Sequence, residues 1–280
     1  MLDWAVAFAV GLLATSFVLV SSRELLATPV LARQNFRGAW LPTAGGVVVM
    51  LALLLVEAGR ATIGALGVGR DPGLTIERSL VLFAVFAFGF LGFIDDVLAS
   101  GEAKGFRGHL ALAMHGRLST GFVKLAGGGM VAIVLVATPG FADGRRLVLD
   151  AVLVALCANL ANLFDRAPGR TIKVALVAYV PLAFALGSNF VGIAIAPVMG
   201  GALALAPFDL RERLMIGDTG ANVFGAVLGL GVALGVDSTP ARATVLGAVV
   251  LLNVVSELWS FSSVIDRVGV LRRLDRLGRN

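Results

Sequence analysis

The chain has 280 residues, of which 58% are hydrophobic and only 15% charged, and its mean hydropathy is +0.93. A soluble domain is nearer 45–50% apolar, so this composition excludes an ordinary water-soluble enzyme and describes a protein solvated mostly by lipid. The single cysteine, Cys157, excludes a disulfide framework, and the net charge of +5 is better explained by basic loops of a membrane protein than by nucleic-acid binding.

Apolar segments of about 20 residues are needed to span a bilayer as helices. Read in chain order, they predict helices near 4–22, 44–57, 79–98, 120–138, 147–164, 173–187, 189–206, 219–236 and 242–260. This is an all-α polytopic bundle of about nine helices, with eight to ten as the range. The first segment lacks a basic leader and a small-residue cleavage site, so it reads as a retained helix. The connections alternate sides. One side receives Arg60, Arg70, Arg78, Arg145, Arg146 and Arg242, and the other 17 of the 23 basic residues. The basic side is cytoplasmic by the positive-inside rule, which puts the N-terminus outside and the tail "DRVGVLRRLDRLGRN" inside. Trp4, Trp40 and Trp259 fall near predicted helix ends, as interfacial aromatics do. With no repeat, low-complexity tract or soluble insertion, 1–280 reads as one integral membrane domain, with a motif-bearing core at about 23–236 and a basic tail at about 261–280.

Carboxylates then converge on one face. Asp95 and Asp96 end the third segment in "GFIDDV", Asp165 ends the fifth in "NLANLFD", and Asp218 begins the eighth in "MIGDTGAN". The alternation places all three sites on the cytoplasmic side. Asn159, Asn162 and Asp165 share one helix face by their spacing of three, and Asp218 and Asn222 share another by a spacing of four. Asp95 and Asp96 lie about 100° apart on a helix, so both reach one partner only if the helix unwinds. Carboxylates at a helix C-terminus also face its negative end and call for positive compensation. Clustered oxygen ligands without histidine or cysteine suit Mg²⁺, or Mn²⁺ as the alternative. Basic residues line the same face: Arg37 in "NFRGAWLPTAGG", and Lys104, Arg107, His109 and Lys124 in "KGFRGHLALAMHGRLSTGFVK". Cations beside a metal-ready cluster suit a diphosphate. The glycines of "KLAGGG" lack the context of a phosphate loop and read as a packing site.

The ordered set "NFRGAWLPTAGG", "GFIDDV", "NLANLFD" and "MIGDTGAN" resembles the polyprenyl-phosphate N-acetylhexosamine-1-phosphate transferases, over about residues 23–236. That resemblance implies transfer of a sugar-1-phosphate from a UDP-sugar to a membrane polyprenyl phosphate, with Mg²⁺, at the cytoplasmic face of the plasma membrane, in cell-envelope glycan synthesis. It implies catalytic roles for Asp95, Asp96 and Asp218, with Asp95 and Asp218 as ligands of the metal. It also implies substrate-binding roles for Arg37, Asn159, Asn162 and Asp165, and a homodimer. Lys104, Arg107 and His109 on the basic face, Asn222 beside Asp218, and Arg166 and Arg170, whose guanidinium groups suit a diphosphate, are the further candidate substrate-binding residues. The chain departs from the family where Asp-Gly-x-Asp-Gly would continue the asparagine motif; here "DRAPGR" brings in Arg166 and Arg170. No histidine follows His115, where the family carries a late His motif. These departures leave the sugar open. A catalytically inactive, scaffolding or lipid-binding member is the alternative reading, and a transporter, which predicts charges at mid-membrane and repeated halves, fits less well.

Overall fold

The computed structural model describes residues 2–68, 73–98, 119–137 and 143–279. Each long apolar segment is helical: α1 is Leu2–Ser21, α3 Gly46–Ala65, α4 Ile76–Leu98, α5 Thr120–Ala137, α6 Gly144–Phe164, α7 Arg170–Leu186, α8 Phe190–Leu210, α9 Gly217–Gly235 and α10 Thr239–Leu258. Among the described residues there are also short α-helices: α2 (Arg23–Leu26) after α1, and α11 (Phe261–Arg267) and α12 (Gly269–Arg276) after α10. Eight of the helices are long and apolar enough to cross a membrane; α7, with 17 residues, is the ninth long helix among the described residues. The protein is a multi-pass, all-α membrane bundle.

The boundaries differ from the sequence expectation where a charge finds a partner. The predicted second segment stops at Glu57, yet α3 runs on to Ala65. Arg78 donates its Nε to Glu57 Oε2 at 2.7 Å, and this buried pair removes the charge penalty that would otherwise end the span. Helix α8 continues through Pro207 to Leu210, and Asp209, buried at that end, accepts from the Gly169 amide at 2.7 Å. The loop after α2 contains a small antiparallel hairpin of β1 (Ala32–Gln34) and β2 (Trp40–Pro42), which the sequence reading treats as a plain connection. The tail, read as a basic extension, forms α11 and α12.

Helices α8 and α9 are central: 78% of each span is buried, against 22% for α1. Helix α9 can be central because it is glycine-rich. A Cβ on Gly92 of α4 would meet the carbonyl of Asp218, so glycine there lets α4 and α9 touch backbone to backbone. A continuous apolar core joins these helices. Outward residues such as Leu13, Phe17, Val177 and Phe184 are exposed and form the lipid-facing surface. Successive long helices run in alternate directions, so the C-terminal ends of α4 and α6, the N-terminal ends of α5, α7 and α9, and the hairpin all gather at one end of the bundle.

Candidate active site

Helix α4 does not unwind at its aspartate pair. It stays helical to Leu98, and the two carboxylates diverge to different partners. Asp95 accepts from Lys124 Nζ of α5 at 2.9 Å. The same ammonium contacts Asp218 Oδ2 of α9. Asn162 of α6 closes the group: with its amide oriented to satisfy both neighbours, it donates to Asp218 Oδ1 at 2.5 Å and accepts from Lys124 Nζ at 2.7 Å. Four helices thus converge on one ammonium.

Asp96 turns instead to the start of α9. It accepts from the Asp218 amide at 2.9 Å, from the Thr219 amide at 3.0 Å and from Thr219 Oγ1 at 2.6 Å. Helix α9 has no side-chain cap of its own, so Asp96 supplies one from another helix, satisfying orphan amides at the positive dipole end. Gly217 makes the approach feasible. Its φ is +67° and a Cβ there would strike the Asp96 carboxylate, two independent reasons for glycine.

The other sequence-predicted residues divide into groups. Asp165 caps the end of α6 and receives Thr171 Oγ1 at 3.4 Å. Burial, and then the charges of Asp209, Asp218 and Asp96, push its carboxyl well above the usual range. Asn159, nearly two turns deeper, donates to Asn253 of α10 at 2.7 Å, a link between helices and not a cluster contact. Asn222 is buried at 3% exposure, and its Nδ2 has no hydrogen-bond partner among the described residues. Arg37 is exposed and pairs with Glu212 at 3.2 Å. Arg166 lines a cleft of ≈ 360 Å³, together with Asn35, Phe36, Asp165, Pro168 and Glu212, so the cleft and the carboxylate cluster share Asp165 as a wall. Arg170 does not reach the cluster: it is buried and its guanidinium is held by Asp275 at 2.8 Å. Lys104, Arg107 and His109 lie outside the described residues.

Two contributors escape the sequence reading. Lys124 is the hub of the cluster, although from sequence it is one of several basic residues on that face; being a lone lysine in the first turns of an apolar helix is the signal that marks it. Arg33 donates Nη2 to the Val97 carbonyl at 2.7 Å, so part of the positive compensation expected at the end of α4 comes from the protein itself.

The donor set fits a hard divalent cation in one specific sense. Asp95, Asp218 and the Asn162 amide oxygen are oxygen donors around one cationic position, which suits Mg²⁺. Among the described residues no group of three His, Cys, Asp or Glu could hold a metal, and Asp96 is committed to α9. The protein therefore offers two carboxylates, the number Mg²⁺ uses when substrate phosphates complete its shell.

No family model matches the chain. Curated relatives do. A phospho-N-acetylmuramoyl-pentapeptide-transferase of Desulforudis audaxviator is 27% identical over 244 residues, covering 77% of this chain and 68% of its own length. One of Geobacillus sp. is 27% identical over 209 residues, covering 67% of this chain and 59% of its own length. One of Borreliella afzelii is 22% identical over 261 residues, covering 80% of this chain and 70% of its own length. The chain thus spans between 59% and 70% of the length of these relatives. The four ordered motifs converge at one end of an all-α bundle, and over most of its length the chain is similar, at 22–27% identity, to phospho-N-acetylmuramoyl-pentapeptide-transferases.

Proposed function

We propose that the protein is a membrane phosphosugar transferase. It moves a sugar-1-phosphate, of the N-acetylhexosamine type, from a UDP-sugar to polyprenyl phosphate and releases UMP, at the cytoplasmic face of the cell membrane and in the service of cell-envelope glycan synthesis. The observation that carries this reading is the convergence of Asp95, Lys124, Asn162 and Asp218 on one point beside a nucleotide-sized cleft. The relatives, named as transferases of a phospho-sugar-peptide, support the class of reaction.

The chemistry is a displacement at phosphorus. An oxygen of the lipid phosphate attacks the β-phosphorus of the UDP-sugar, the bond from that phosphorus to the bridging oxygen breaks, and UMP leaves with that oxygen. A phosphate monoester is largely ionised at neutral pH, so the attacking oxygen needs no strong base. The demand is for charge neutralisation between two anions, and for alignment. Asp95 and Asp218, which share the Lys124 ammonium, would hold Mg²⁺ in its place, and the metal would supply charge stabilisation at the reacting phosphorus; Lys124 then brings a second cation to the same site. Asp96, spent on three donors of α9, sets the position of Asp218 and acts as a positioning residue. Arg166 and the Phe36 ring on the cleft wall suit a diphosphate and a base respectively.

Purified protein incubated with undecaprenyl phosphate, Mg²⁺ and a panel of UDP-sugars should release UMP with at least one sugar. A second reading, an inactive scaffold, draws on Lys124 already satisfying both carboxylates and on the altered "DRAPGR" segment. It predicts no UMP from any sugar in that panel.

A further inference from the structure

We propose that α12, with the residues that follow it, lies flat in the bilayer interface as an anchor, its arginines on anionic lipid headgroups. The reading is independent of the transferase assignment, because it rests on the tail and on the contacts that dock it to α7.

Val270, Leu271, Leu274 and Leu277 recur at helical spacing and share one face, and all four are exposed. Arg272, Arg273 and Arg276 occupy the remaining outward arc and are exposed as well. The helix is thus apolar on one side and cationic on the other, the pattern of a segment that settles at a membrane surface. One residue of α12 is turned the other way. Asp275 is buried against the bundle and receives Arg170 Nε at 2.8 Å and Nη2 at 3.0 Å.

That clamp fixes the height of α12. Arg170 also donates Nη1 to Ser262 at 2.8 Å, and Lys173 donates to the Leu274 carbonyl at 3.0 Å and the Leu277 carbonyl at 3.3 Å, capping the C-terminal end of the helix. Both clamping residues sit in the first turn of α7. The exposed stripe of α7 begins at the next residue, Val174, and continues through Val177 and Phe184. The apolar face of α12 is therefore held where the lipid-facing surface of the bundle begins. Helix α10, which leads into this tail, ends in exposed Leu258 and Trp259. Charge selects the occupant. A second copy of the chain would set like arginines against each other, whereas an anionic headgroup layer complements them.

Depth measurement tests this directly. Full-length protein in a Cys157→Ala background carries one nitroxide at a time, at position 274 or 277 on the apolar side and at position 273 or 276 on the basic side. It is reconstituted into vesicles of phosphatidylcholine alone or mixed with phosphatidylglycerol. Labels at 274 and 277 should be reached by oxygen in preference to a water-soluble nickel chelate, labels at 273 and 276 the reverse, and phosphatidylglycerol should shift the apolar pair deeper. A combined Arg272→Glu, Arg273→Glu, Arg276→Glu variant should lose the phosphatidylglycerol-dependent shift. All four labels equally open to the nickel chelate would overturn the proposal. Spin–spin broadening between singly labelled chains would overturn it in favour of a second copy, and a depth indifferent to phosphatidylglycerol would remove the headgroup assignment.

Discussion

Replacing Asp96 with asparagine separates two roles that a carboxylate in this place could have. The wild-type side chain accepts from the Asp218 amide at 2.9 Å, the Thr219 amide at 3.0 Å and Thr219 Oγ1 at 2.6 Å. An asparagine keeps one acceptor oxygen, and its NH₂ group then faces a donor. A hydrogen bond to a charged group contributes about 1.5–3 kcal/mol, and loss of a helix N-cap costs about 0.5–2 kcal/mol, so the variant should lose about 2–3 kcal/mol of stability. Cys157, the single cysteine, lies within the helical bundle and gives a thiol-reactive dye a reporter for thermal unfolding in detergent. The transition should move down by several degrees. Turnover, read as UMP release, should fall by about ten- to a hundredfold, because Asp218 is mispositioned and not removed, at about 1.4 kcal/mol per tenfold. The pH–rate profile should keep its shape. A variant as stable as wild type that loses turnover completely would refute the capping role and return Asp96 to proton transfer or metal binding.

Three further outcomes follow from the same geometry. Lys124→Met leaves Asp95 and Asp218 without their shared ammonium; the protein should be destabilised, and Mg²⁺ should raise its melting temperature more than that of wild type because no ammonium competes for the same oxygens. Equal Mg²⁺ responses in the two proteins would count against the shared position. Gly217→Ala should cost about 2 kcal/mol or more, from a φ of +67° and a Cβ against Asp96, whereas Gly38→Ala, with φ +78° and open space around it, should cost only the left-handed penalty of about 1 kcal/mol; equal losses would show that the Asp96 contact is slack. The third outcome is a pH dependence. Burial raises the Asp275 carboxyl, but the hydrogen bond and charge of Arg170 and the charge of Arg279 outweigh it and hold the group below the usual carboxylate range. A depressed folded value means stability present above the unfolded value of about 3.9 and lost as pH falls through the folded value. The tail should therefore undock on acidification below about pH 4, as seen in the mobility of a label at position 274. Arg170→Ala should weaken docking already at neutral pH and flatten this transition, and an unchanged transition in that variant would remove Arg170 as the clamp.

Much of this organisation is legible in the chain because it is set by local rules. Apolar runs of spanning length match the nine long helices among the described residues, and strict alternation puts Asp95, Asp96, Asp165 and Asp218 at one end. What stayed hidden depends on partners far apart in sequence. Lys124 meets Asp218 across 94 residues, and Asp96 caps a helix that begins more than 120 residues later; spacing within one helix carries no trace of either. The same holds for Arg170. Its place in "DRAPGR" suggests a substrate ligand, yet Asp275, 105 residues away, claims it for the tail. Helix α3 outruns its expected end for a like reason, because the charge of Glu57 is cancelled by Arg78, 21 residues on.

The central claim is that Asp218, held by Lys124, Asn162 and the Asp96 cap, belongs to a phosphosugar-transfer site. It is tested most directly by UMP release from wild type and Asp218→Asn side by side, with undecaprenyl phosphate, Mg²⁺ and a panel of UDP-sugars, both proteins checked for equal thermal stability. The substitution keeps shape and hydrogen bonding while removing the charge a hard cation needs. The account predicts UMP from wild type with at least one sugar and none above background from Asp218→Asn. Release at the wild-type rate from Asp218→Asn, or no release by wild type with any sugar, would contradict it.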